Sequence, residues 1–290
     1  DYRIFRKKDQ INSFGAIDFN NLVINDKQRD ISISSKKLRI NFFDKYIQSY
    51  ETTYYVNNNK YSLLLNTDIA GDKIIYDVLS NGMLASDFIK KLTNDKLYKS
   101  FNGSAPILFK VTYQPHDKRI SLKLNSNMKG MEFNIIPPLN KTIEESKNLE
   151  VSYVINDKSK KYIKILFDKY KMKISSQKKS LSILVNSPDI EGLINLPNLI
   201  TKDDRLFVRL EYFNTNNFRG ASDPLSYPYL DLGVKKVKIN DYYFDNLYIK
   251  TSPGNEGMII ERLNFKNHNL NMQGNGKWIN KSDKQITFFD

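Results

Sequence analysis

Chemistry needs groups that can reach one another, and few such groups are present. The two histidines, His116 and His268, lie in turns between strand-like runs, and neither has a carboxylate or second imidazole at ligand spacing. Neither reads as a metal ligand. Asp189, Glu191, Asp203 and Asp204 gather along the sequence. Carboxylates without a nucleophile or base beside them read as solvated loop residues. Gly274-Asn275-Gly276 has no helix after it, so it reads as a hairpin turn rather than a phosphate cradle. The chain has no cysteine, which excludes disulfides and thiolate metal sites. Asn102-Gly103-Ser104 and Asn140-Lys141-Thr142 match a glycosylation pattern that an Asn-rich chain produces by chance. The expectation is a protein that is not an enzyme and has no cofactor or metal.

The elements around these residues are strands. Alternation of apolar and polar residues marks Ile31–Phe43, Tyr61–Thr67, Ala105–Gln114, Arg119–Asn127, Asn148–Ile155, Leu206–Tyr212, Leu230–Ile239 and Gly257–Phe265. Such period-two patterning puts one side chain set on each face of a sheet. Ile107, Phe109 and Val111 share a parity in the first strand of a hairpin, and Ile120, Leu122 and Leu124 share one in the second. Leu149, Val151 and Tyr153 repeat the pattern, as do Leu206, Val208 and Leu210. Between Lys160 and Phe167 the parity is ambiguous, because Tyr162 and Leu166 compete with Ile163 and Ile165. One helical stretch stands out near 86–101, with Ser86 as N-cap, Asp87 at the positive end of the dipole and a break at Asn94-Asp95 that would give one or two short helices ended by Gly103. The fold class expected is mainly β: a long antiparallel sheet, one continuous segment over 1–290, with the loop 214–226 as the one weak candidate boundary.

A formal charge of +13 suits phosphate-bearing partners. Yet Lys110, Lys123 and Lys164 alternate with apolar neighbours instead of forming a block, which is how the wet face of a sheet is written. No nucleic acid partner is expected, and anionic lipid head groups suit the charge equally well. No apolar run is long enough for a membrane helix. The first residue is Asp1 and the final run, Gln285–Asp290, ends in mid-strand. The expectation is a piece of a longer protein.

Several segments, in order, resemble the YhdP-type branch of the AsmA-like envelope proteins. Ser126-Asn-Met-Lys-Gly-Met131 followed by Ile135-Ile-Pro-Pro-Leu-Asn-Lys-Thr142 is similar to that family's "S-D/N-L-x-G-L … L-P-x-P-L-x-K" segment. Ile190-Glu-Gly-Leu-Ile-Asn-Leu-Pro197 looks like its "G-x-I-x-L-P" strand. Tyr229–Leu232, Phe244–Ile249, Gly257–Leu263 and Met272–Trp278 follow its closing order. Met258 stands where the family often has Trp, and Ile135-Ile136 replaces its usual Leu. The likeness covers about residues 80 to 280 and is vague before them.

What this resemblance implies is a bridge-like phospholipid transporter. An inner-membrane helix, outside these residues, would anchor a periplasmic sheet, strongly curved into an open apolar groove, along which phospholipid passes between inner and outer membranes. Its partners would be phospholipid acyl chains and, through regions outside this stretch, the two membranes. Groove lining then falls to Ile107, Phe109, Val111, Ile120, Leu122, Leu124, Leu149, Val151, Tyr153, Leu206, Val208 and Leu210. The residues alone leave a second arrangement open, in which the same side chains face another sheet in a closed core. That would make an envelope scaffold or binding module without lipid cargo.

Overall fold

Period-two alternation runs through almost the whole chain, and backbone patterned in this way pairs as strand. The computed structural model describes residues 2–7, 10–70, 73–92, 101–133, 140–156, 162–176, 180–197, 205–215, 229–255, 257–281 and 284–289. It is mainly β, and the described residues hold a single short helix. The chain divides into two units, Asp1–Ile135 with Leu139–Lys161, and Ile136–Pro138 with Tyr162–Asp290. The candidate boundary at 214–226 falls, from residue 216 on, outside the described residues.

Unit 1 contains β1 (Tyr2–Lys7), β2 (Gln10–Asp26), β3 (Ile31–Phe43), β4 (Tyr46–Ser49), β5 (Thr52–Val56), β6 (Asn59–Ala70), β7 (Lys73–Ala85), α1 (Ser86–Leu92), β8 (Phe101–Gln114), β9 (Arg119–Ser126), β10 (Met131–Phe133) and β11 (Leu149–Ile155). From β5 onward, β6, β7, β8, β9 and β11 follow as antiparallel neighbours, and β10 lies along the start of β8. The turn chemistry accounts for the tight connections. Asn57 and Asn58 both take positive φ (46° and 69°) between the paired Val56 and Asn59, which a two-residue hairpin demands. Asn57 Oδ1 also accepts the Ser32 N–H at 2.8 Å, tying that turn to β3.

Unit 2 contains β12 (Tyr162–Phe167), β13 (Tyr170–Ser176), β14 (Ser180–Asn186), β15 (Ile190–Pro197), β16 (Arg205–Thr215), β17 (Tyr229–Ile239), β18 (Tyr242–Gly254), β19 (Gly257–Lys266), β20 (Asn271–Lys281) and β21 (Lys284–Phe289), each paired with the next. In neither unit does a described pairing join the first strand to the last, so neither sheet closes.

Three expectations need correction. The sheet is mixed: β16 and β17 run parallel, with Leu206 opposite Leu230 and Leu210 opposite Val234. A hairpin cannot join parallel strands, and residues 216–228 intervene where the sequence suggests only a loop. The helix is shorter than 86–101, spanning Ser86–Leu92. Phe101 and Gly103 belong to β8 instead, and a second helix over 93–100 lies outside the described residues. Finally, Gly274-Asn275-Gly276 is no turn but the middle of β20. A Cβ on Gly276 would sit 1.9 Å from the Phe288 carbonyl oxygen, so this glycine permits close strand approach. The actual turn, at 267–270, is held by Asn267 Oδ1 accepting the N–H groups of Asn269 and Leu270.

Candidate functional site

Nine of the twelve residues singled out from sequence lie in unit 1, and the register brings them to one face. Leu65, Val78, Val111, Leu122 and Tyr153 stand opposite one another across β6, β7, β8, β9 and β11. The next row is Leu63, Ser80, Phe109, Leu124 and Val151. Another is Thr67, Tyr76, Tyr113, Ile120 and Ile155. Ile107 faces Gly82, and Leu149 faces Ser126, in the same parity. Directly opposed residues share a face, so these rows form a nearly unbroken apolar surface. All nine of the named side chains are half-buried, neither immersed nor free.

The opposite face of the same strands carries the charged groups, interspersed with Leu64, Leu79 and Leu108. Asp77 Oδ2 holds the Lys110 ammonium at 2.8 Å, and the Thr112 hydroxyl donates to Asp77 Oδ1 at 2.6 Å. Ser121 and Lys123 continue that face across β9.

Unit 2 repeats the design. Ile163, Ile174, Ile183, Ile194, Val208, Leu232, Ile249 and Leu263 form one row over eight strands. Ile165, Met172, Val185, Gly192, Leu210, Val234 and Leu247 form the next. These rows settle the parity that the sequence leaves open in β12, in favour of Ile163 and Ile165. Leu206 is half-buried, but Val208 and Leu210 are each only 7% exposed. They pack in one cluster with Val185, Ile190, Val234 and Val237.

Regular alternation would send Val234 and Val237, three residues apart, to opposite faces. Both are buried in that cluster because the ladder is irregular there. Register shifts occur at Glu191/Gly192 on β15 and at Asp245/Tyr248 on β18, where Asn246 has φ of 54°. Such bulges re-aim side chains and bend a strand. Gly192 is required at this crease: its φ is +147°, and a Cβ would lie 2.3 Å from the Arg209 carbonyl oxygen.

Two polar knots lie beside these faces. In unit 1 Lys141 is 2% exposed, and its ammonium donates to the carbonyls of Met131 (2.7 Å) and Thr142 (2.8 Å). Burial pushes it below the usual lysine range, with Glu145 opposing. Around it Met128, Met131, Phe133 and Ala105 are also buried. In unit 2 the Tyr170 hydroxyl donates to Asp189 Oδ2 at 2.9 Å, and Lys169 Nζ lies 2.5 Å from the same oxygen. Burial raises the Asp189 carboxyl, but the bonds from Lys169 and Tyr170 outweigh it and hold the carboxyl below the usual range. Burial, then the bond to Asp189, raises the Tyr170 phenol far above its ordinary value.

The candidate chemical groups stay apart. His116 faces only its neighbour Asp117 in an exposed turn, and Glu191 is exposed at the start of β15. Asp203 and Asp204 lie outside the described residues. Among the described residues no three His, Cys, Asp or Glu side chains gather as a metal site, and no helix is long and apolar enough to cross a membrane. No family model, curated protein or solved structure matches the chain.

Proposed function

We propose that the chain is a lipid-bearing segment of a bridge-like envelope protein of the YhdP-type, AsmA-like kind. In this reading each sheet curls so that its apolar face becomes a groove, phospholipid tails lie along it, and no covalent chemistry is done. The protein works in the periplasm, held to the inner membrane by a segment outside these residues, and passes phospholipid between the two membranes.

One observation carries the reading: rows made mostly of half-buried apolar side chains cross five strands on one face, while the charged groups Asp77, Lys110 and Lys123 stand on the other. Acyl chains in water gain about 0.8 kcal/mol per methylene from such cover. A peptide would gain less, because its own N–H and C=O groups would meet hydrocarbon and lose their water partners. The strand backbones are already paired laterally and cannot supply them. The row-to-row similarity also suits a tail that shifts between near-equivalent positions.

Native mass spectrometry of the protein purified from cells tests this. Co-purifying phospholipid is the expected result. Leu122→Asp should abolish it, whereas Lys123→Asp, one residue away on the polar face, should leave it intact. An intact fold with no lipid in the wild type would instead favour the scaffold module, for which the buried cluster at Val208 and Val234 is the supporting observation.

A further inference from the structure

Resting on the lipid-bearing reading above, we infer that the acyl chain occupies the face of unit 1 and is excluded from the tract of unit 2 around Val208, Leu210, Val234 and Val237. That tract is a break in the lipid-bearing surface, not a part of it.

Hydrocarbon binds where apolar area can still be taken from water. Val234 and Val237 are 3% and 2% exposed, and Val208 and Leu210 little more. They have almost nothing left to bury, and interiors packed to native density do not yield room for a tail without opening a gap elsewhere. Their described packing neighbours, including Leu206, Phe213 and Phe244, come from the same and neighbouring strands of the one sheet. By contrast Phe109, Val111, Leu122, Leu124 and Val151 keep part of their surface accessible in one connected patch.

The crease explains why the two faces differ although their residue types match. The irregularities at Glu191/Gly192 and Asp245/Tyr248 turn Val237 and Phe244 to the same side as Val234. Lys235 and Glu211, the residues left on the other side at this level, are joined at 2.7 Å. A bend of this kind brings residues from both sides of the fold line together and fills the space a tail would need. The β6–β11 ladders of unit 1 run without any register shift, so its rows stay spread.

The test uses the unmodified chain, loaded with phosphatidylethanolamine and phosphatidylglycerol carrying a diazirine in the acyl chain. After irradiation, the modified peptides are mapped by mass spectrometry, and native mass spectra report the lipid load. The expected result is adducts within 105–124 and 149–155 and none on Val208, Leu210, Val234 or Val237. Val208→Ala with Val234→Ala should then admit adducts to the second region while leaving the first unchanged. Adducts at both regions of the wild type, or only at the second, would overturn the inference and leave the lipid-bearing reading standing. A folded protein that takes up no lipid would overturn both.

Discussion

The two units carry the same alternating text, yet in one the named apolar side chains are all half-buried and in the other a fully buried cluster lies among half-buried ones. Leu122 in unit 1 and Val208 in unit 2 each stand in a row of aliphatic residues running strand to strand. What separates them is the ladder, regular in β6–β11 and creased between β15 and β18. Composition of a face therefore fixes what it could cover, and register irregularity decides whether it covers itself.

A charge placed on each face should break the symmetry most sharply. Val234→Asp puts a carboxylate where no partner or water is at hand, which costs about 3–5 kcal/mol. Val111→Asp can keep its carboxylate near water and should cost about 1–2 kcal/mol. Urea unfolding, followed by Trp278 fluorescence for unit 2 and far-ultraviolet circular dichroism for the whole chain, measures both. Equal losses would mean that the two faces are covered alike.

Unit 1 also has a spot as closed as the crease, and a lysine lies in it among Met128, Met131 and Ala105. Lys141→Ala strands the Met131 and Thr142 carbonyls and leaves a void, for a loss of about 3 kcal/mol. Lys141→Met fills the void but still orphans the carbonyls, so its loss should be smaller. If Lys141→Ala unfolds no more easily than the wild type, the ammonium is not the post that holds its own loop to β10.

Base should act with opposite sign on Tyr170 in unit 2 and Lys141 in unit 1, while Tyr61 in unit 1, whose phenol burial also raises, acts with the sign of Tyr170. The folded Tyr170 phenol ionises above its ordinary value of 10.0. Its contribution is complete below pH 10 and disappears as the pH climbs beyond it, because the unfolded chain then releases the proton first. The Lys141 ammonium has a folded pKa below its ordinary 10.5. The unfolded chain binds that proton more tightly, so the burial penalty is relieved as pH rises towards 10.5. The Trp278 signal should thus report weakening above pH 10, abolished in Tyr170→Phe. A stabilising slope just below pH 10.5 should vanish in Lys141→Met.

Much of this was legible as alternation. Ile107 to Val111, Ile120 to Leu124 and Leu149 to Tyr153 are read in the right parity from sequence because β8, β9 and β11 contain no irregularity. The parity of β12 is not, since Tyr162–Phe167 offers apolar residues in both phases; only its register against β13 decides for Ile163 and Ile165. Lys141 hides for a different reason. A lysine in a polar run signals solvent, and its burial depends on carbonyls from β10 and its own loop that no local pattern announces. The parallel pairing of β16 with β17 is equally silent, because alternation looks the same in either strand direction.

The smallest effect belongs on the charged face of unit 1. Lys110 and Asp77 meet at 2.8 Å with the lysine well exposed, and pairs of this kind are worth about 0.5 kcal/mol or less. Lys110→Met removes the charge, keeps most of the stem's packing and leaves Asp77 the hydroxyl of Thr112. Unfolding should shift by no more than that small amount and phospholipid load should stay unchanged. Because Lys110 lies beside Val111 in sequence but on the opposite face, a lost lipid load in Lys110→Met would show that the charged side, not the aliphatic side, holds the ligand.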